Sequence, residues 1–130
     1  MENKAFDDWL AGLELSFWGT AQHKVTPEQF FEQQASEEGA VFLDVRSPEE
    51  AGYLTLPFAL HIPIAELPDR WQEVPADRLV ATFCSSVTRA VAAWVYLQLK
   101  GLDKVRILDA CYPELTAELK PGKVYKRTKK

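Results

Sequence analysis

Three short, nearly continuous apolar runs constrain this chain more than anything else in it: Ala40-Val41-Phe42-Leu43-Asp44-Val45, Val80-Ala81-Thr82-Phe83 and Val105-Arg106-Ile107-Leu108. None alternates as a half-exposed strand would, so each predicts a strand covered on both faces, as in a parallel sheet. Between the last two, Thr88 to Lys100 spaces Ala90, Val91, Ala93, Trp94, Leu97 and Leu99 over one broad helical face, and Gly101 follows as a left-handed cap. Strand, helix and strand in that order predict a parallel crossover and hence an α/β domain. With 130 residues, 47% hydrophobic and 26% charged, there is material for one such domain with a packed core and no room for a second.

Other elements can be placed around this unit. Thr26 can accept from the backbone at Gln29, Pro27 suits the first helical position, and Gln29 can reach back, so a helix is expected from there to about Ala35 with Phe30 and Phe31 inward. Residues 5–18 put Phe6, Trp9, Leu10 and Leu13 at helical spacing, which predicts an amphipathic helix packed on the domain's own core. His61-Ile62-Pro63-Ile64 predicts a short strand near an edge, because Pro63 cannot donate to a ladder, and Ala65 to Gln72 predicts a short helix burying Leu67 and Trp71. The expectation is a central, mainly parallel sheet of about five strands flanked by helices. Its boundaries are an amino-terminal helical extension at 1–23, the domain at 24–121 and a basic tail at 122–130.

The formal charge of −4 conceals an asymmetry. Of 15 basic residues, six (Lys120, Lys123, Lys126, Arg127, Lys129 and Lys130) lie at the end, leaving 9 against 19 acidic residues and a body of net charge −10. A body that acidic argues against nucleic acid as a partner, and the tail reads as a solvated, frayed end. No apolar run approaches the roughly 20 residues of a membrane span, and Met1-Glu2-Asn3-Lys4 does not begin a signal peptide, so a cytoplasmic address and no membrane partner are expected. Cys84 and Cys111 can pair only once, and a domain of this size does not need a disulfide, so a reducing compartment and thiol chemistry are the expectation.

Cys84 directly follows one predicted buried strand and precedes a helix, and in open parallel sheets reactive groups gather beyond the carboxyl ends of the strands. The stretch Ser85-Ser86-Val87-Thr88-Arg89 can curl its N–H groups toward a common centre, adding the positive helix end and the Arg89 charge. Such surroundings lower a thiol's pKa and hold a thiolate or persulfide anion, and Ser85 and Ser86 are small enough to leave the sulfur accessible. The competing reading is a buried cysteine acting only as a small hydrophobe. His23 and His61 lie at no metal-ligand spacing, and the pairs Asp7-Asp8, Glu37-Glu38 and Glu49-Glu50 read as solvated. No metal or organic cofactor is expected.

Val41-Phe42-Leu43-Asp44-Val45-Arg46-Ser47-Pro48-Glu49-Glu50 resembles the strand and Asp-x-Arg segment of rhodanese-like single-domain sulfurtransferases, and Val80-Ala81-Thr82-Phe83-Cys84 with four residues before Arg89 is similar to that family's active loop. The likeness runs from about Lys24 to about Pro121. It implies Cys84 and Arg89 as catalytic residues, Ser85, Ser86, Val87 and Thr88 as the substrate-binding loop, and Asp44 and Arg46 as supports, against the rival of a surface ion pair. Phosphatases and arsenate reductases of similar loop logic use Cys-x5-Arg around a tetrahedral oxyanion. The shorter Cys-x4-Arg here argues for one sulfur atom.

Three segments depart from the pattern. Val87 occupies a position where the resemblance implies glycine, and a β-branched side chain resists positive φ. The segment Leu54-Thr55-Leu56-Pro57-Phe58-Ala59-Leu60-His61-Ile62-Pro63 keeps the prolines and Ala59 but loses two glycines and a histidine, and Ala110-Cys111 replaces paired glycines after the last strand. Cys111 is therefore either a candidate resolving thiol or a small residue filling that space. The expected activity is transfer of sulfane sulfur from thiosulfate or a persulfide donor, through a Cys84 persulfide, to a thiol or protein-cysteine acceptor. The alternatives are a catalytically weak binding or sulfur-sensing module and, disfavoured by loop length, a cysteine phosphatase or arsenate reductase.

Overall fold

The computed structural model describes residues 3–129. The three apolar runs form β2 (Ala40–Asp44), β4 (Leu79–Phe83) and β5 (Val105–Leu108), and β1 (Lys24–Val25) and β3 (Ala59–His61) complete a five-stranded sheet. Its order is β1-β5-β4-β2-β3, with every pair parallel. The helices are α1 (Lys4–Ala11), α2 (Leu15–Gly19), α3 (Pro27–Gln34), α4 (Pro48–Tyr53), α5 (Leu67–Arg70), α6 (Thr88–Leu99), α7 (Tyr112–Ala117) and α8 (Pro121–Thr128).

Two hydrophobic layers explain why the strands read as unbroken apolar runs. Val80, Cys84, Val105 and Ile107 face Ala90, Ala93, Trp94 and Leu97 of α6 and Leu67 of α5. The alternate residues Phe42, Ala81, Phe83 and Leu108 face Phe30 and Phe31 of α3 and Leu115 of α7. Successive side chains point to opposite faces, and both faces are covered. The start of α3 carries the reciprocal Thr26 and Gln29 cap, and Gly101 takes φ +90° after α6, both as expected.

Several elements differ from expectation. The amino-terminal segment is two helices, because α1 ends at Gly12, and Leu10 is exposed. What docks the segment is Trp9 and Phe17, whose rings lie 5.3 and 6.3 Å from that of Trp94. The short strand is shifted to Ala59–His61, and Pro63 lies beyond it, while the amides of Ile62 and Ile64 still donate to Asp44 and Val45. Leu67 is buried, but Trp71 is only half-buried, with Lys100 over its ring. The tail is helical through Thr128: Pro121 starts α8, and Arg127 binds Glu118 and lies 4.8 Å over the Phe31 ring. Strand β1 was not expected, since two residues carry no readable period.

At the carboxyl edge of the sheet the chain buries a charge. Arg46 is fully buried and Asp44 nearly so, which overturns the surface-pair reading. Nε and Nη2 of Arg46 donate to the two Asp44 oxygens at 2.9 and 2.8 Å, Nη2 donates also to the Leu54 carbonyl at 2.8 Å, and Nη1 donates to the Tyr112 hydroxyl at 3.0 Å. His61 donates from Nε2 to the Arg46 carbonyl at 2.8 Å. The hydrogen bonds to Asp44, opposed by burial and reinforced by Tyr112, raise the Arg46 pKa above the ordinary arginine value, so its charge is permanent. Arg46→Met is therefore expected to cost about 3–5 kcal/mol in urea unfolding, because it strands the Asp44 carboxylate. A loss below about 1 kcal/mol would show that the network does not hold the edge together.

Candidate active site around Cys84

Cys84 leaves the carboxyl end of β4 with its side chain toward α6 and is fully buried. This corrects the expectation of an accessible sulfur. The Ala90 amide, one residue beyond the predicted loop, donates to Sγ at 3.3 Å. Thr82, two residues upstream on the same strand face, donates from Oγ1 to the Ala90 carbonyl at 2.9 Å. Strand β4 thereby supplies the sulfur and also pins the helix turn that addresses it.

Three residues, Ser85 to Val87, turn the chain from strand into helix. The turn requires Val87 to adopt φ +74° and ψ −32°, a region costly for a β-branched side chain. Its surroundings hold it there: the side chain packs on the core layer that contains Cys84, and its carbonyl accepts the Val91 amide at 2.9 Å. The N-cap residue Val87 offers no side-chain acceptor, so among the first N–H groups of this 12-residue helix that of Ala90 is taken by Cys84 Sγ.

Arg89 donates to both Glu50 oxygens at 2.6 and 2.8 Å and to Ser85 Oγ at 3.1 Å. Glu50 is thus paired, contrary to the solvated reading, whereas Glu49 is exposed. A signal for it was present in Ser47-Pro48-Glu49-Glu50, a capping box that fixes Glu50 at the start of α4, where it also accepts from the Ser47 amide and hydroxyl. The Arg89 bond holds the Glu50 carboxyl well below the usual carboxylate range, with burial opposing and Ser47 helping. Arg89 is correspondingly raised above the ordinary arginine value, mainly by Glu50, with a smaller contribution from the neighbouring Cys84 sulfur.

The structure joins Arg89 to Ser85, the residue after Cys84, and leaves Ser86 and Thr88 exposed at the loop surface. Asp44 and Arg46 make no hydrogen bond to residues 85–89 among the described residues. Arg46 instead lies 6.0 Å from the Phe83 ring and reaches the site through Leu54, at the end of α4. Cys111 is half-buried just before α7, beyond the strand next to β4, and its amide donates to Glu114 at 2.8 Å. Both cysteines are free.

The rhodanese-like domain profile matches residues 26–118. A sulfurtransferase of Allochromatium vinosum is 31% identical over 83 residues, which span 64% of this chain and 78% of that protein. Among solved structures, a human single-domain sulfurtransferase is 28% identical with a TM-score of 0.61, covering 74% of this chain and 96% of its own. A rhodanese-related protein from Thermoplasma volcanium, 24% identical, shares the fold with a TM-score of 0.65, over 76% of this chain and 95% of its own.

Two outcomes follow from this geometry. Val87→Gly relieves the positive φ, worth about 1–3 kcal/mol, whereas Val87→Ala loses the same contacts without that relief, so thermal unfolding should rank the glycine variant the more stable. The reverse order would remove strain from the account. For Glu50→Gln, both members of the pair are about a third exposed, and solvent screening limits the cost to about 1 kcal/mol at neutral pH. Because the folded-state value is depressed, this stabilisation is full above the ordinary 4.5 and fades as pH falls below it. Parent and variant stabilities measured by urea unfolding should converge in acid, and a gap independent of pH would contradict the pairing.

Proposed function

The chain belongs to the rhodanese-like domain family, and from that premise we propose that it is a sulfurtransferase carrying sulfane sulfur as a persulfide on Cys84. The observation that carries the reading is the Ala90 amide, in the first turn of α6, donating to Cys84 Sγ, with Arg89 the residue before it in that turn. In the first half-reaction the Cys84 thiolate attacks the outer sulfur of thiosulfate, or of a persulfide. The donor's S–S bond breaks, and sulfite or a thiolate leaves with the electron pair. Loop amides from Ser85 to Arg89 and the Arg89 charge stabilise the resulting anion. In the second, a thiophilic acceptor (cyanide, a small thiol or a protein cysteine) attacks the outer sulfur, and Cys84 departs as thiolate.

Burial of Sγ bears on the first half-reaction, in which the donor has to reach it, whereas in the second the transferable sulfur sits about 2 Å beyond Sγ. The Cys-x4-Arg spacing suits that single added atom, and neither half-reaction calls on a metal or organic cofactor. No helix among the described residues is long and apolar enough to cross a membrane. Full burial of Cys84 together with the strained Val87 supports a second reading, a binding or sensing module with little turnover. Cys111 is the proposed resolving thiol: its thiolate attacks Cys84 Sγ, hydrosulfide leaves, and a Cys84–Cys111 disulfide remains for an external thiol to reduce.

Mass spectrometry after incubation with thiosulfate tests all three statements. One added sulfur is expected on the parent and none on Cys84→Ser. No adduct with thiosulfate or a small persulfide would leave the module reading. Sulfide release from the loaded protein should slow several-fold in Cys111→Ser, and an unchanged rate would remove the resolving role.

A further inference from the structure

One cleft beside the loop has no part in this scheme. It is lined by His23, Lys24, Val87, Val91, Ile107 and Asp109. Thr82 pairs with Ile107 in the parallel register of β4 and β5, and Cys84 and Asp109 each follow two residues later, just past the ends of those neighbouring strands. Cys84 packs with Ile107 and the residues of α6, and Asp109 lines the cleft with Ile107 and Val91 of α6, so both lie on the α6 side of the sheet. The cleft therefore lies one strand over from the nucleophile, with Val87 of the loop as one of its walls.

Its chemistry is divided. Val87, Val91 and Ile107 form apolar walls suited to a short methylene chain. Lys24 Nζ lies 3.1 Å from Asp109 Oδ2, with the two side chains 42% and 50% exposed. A pair that open to water contributes about 0–1 kcal/mol, so a ligand bearing both charges can separate it at little cost, its carboxylate on Lys24 and its ammonium on Asp109. His23, one of the lining residues, has its Nδ1 buried without a protein partner, an expense that packing alone does not explain. Burial and Lys24, opposed by Asp109, lower the His23 pKa and keep that wall uncharged at neutral pH. The Asp109 carboxylate disfavours a dianion such as thiosulfate.

We propose that this cleft is the acceptor subsite of the sulfurtransferase reaction and that it takes a small zwitterionic aminothiol of the class of free cysteine. The inference rests on the sulfurtransferase reading. The bound thiol loses its proton to solvent at the cleft mouth, and its thiolate attacks the outer sulfur of the Cys84 persulfide. That S–S bond breaks, Cys84 recovers its thiolate, and the aminothiol leaves as a persulfide. Lys24 and Asp109 set specificity by holding the ligand's two charges.

The test is the discharge rate of the thiosulfate-loaded protein with four thiols, each normalised to its rate with a small-molecule persulfide: L-cysteine, cysteamine, 3-mercaptopropionate and N-acetyl-L-cysteine amide. Loss of one charge contact should lower kcat/KM about tenfold, so L-cysteine leads. Asp109→Asn should abolish its lead over 3-mercaptopropionate, and Lys24→Met its lead over cysteamine. Equal rates for L-cysteine and the doubly blocked, peptide-like thiol would overturn the proposal, as would a preference that survives both substitutions. Titration with unreactive S-methyl-L-cysteine separates this from failure of the parent reading. Amide shifts at Val87, Val91 and Asp109 that vanish in Asp109→Asn support the cleft even where no persulfide forms, and their absence in the parent refutes it.

Discussion

The buried pairing of Arg46 with Asp44 is the constraint on which the carboxyl edge of the sheet depends. Removing a guanidinium from water is costly, and Asp44, the Leu54 carbonyl and the Tyr112 hydroxyl together offset that cost by occupying Nε, Nη1 and Nη2. Each partner lies on a different part of the chain: the end of β2, the end of α4 and the start of α7. His61 adds β3 through the Arg46 carbonyl. Arg46 thus joins four segments, three through its charge and β3 through its backbone carbonyl.

The reactive loop is held at one remove from this network. Leu54 fixes the end of α4, α4 carries Glu50, Glu50 accepts from Nη1 and Nη2 of Arg89, and Nη2 also donates to Ser85. From the other side, Thr82 holds the first turn of α6 over Cys84. Between these two restraints Val87 is kept at a φ it would not choose, which places the backbone strain next to the nucleophile. Side chains that stand where the resemblance implied glycine have also taken packing roles. Phe58 meets the rings of Phe31 and Phe42 at 5.7 and 5.1 Å, and Ala110 is buried.

Apolar runs long enough to show a pattern were legible: β2, β4, β5 and α6 appear where they were expected, as does the capped start of α3. Elements shorter than a period were not, and β1 has meaning only as the partner of β5. The tail and the Glu49-Glu50 pair were misread for one shared reason. A charge looks solvated in sequence unless its partner is near, and Glu50 meets Arg89 39 residues away. Arg127 found Glu118 nine residues before it, together with an aromatic ring from α3.

The chain by itself determined the layered α/β fold and the strand-to-helix position of Cys84, because hydrophobic period and local turn chemistry are properties of neighbouring residues. Only the tertiary structure decided that Cys84 is covered, that Ala90 supplies its amide, that Arg89 is shared with Glu50, and that His23, Lys24 and Asp109 gather beside the loop. Those facts depend on register between strands and on pairings across tens of residues, which burial and hydrogen bonding select and local spacing does not encode.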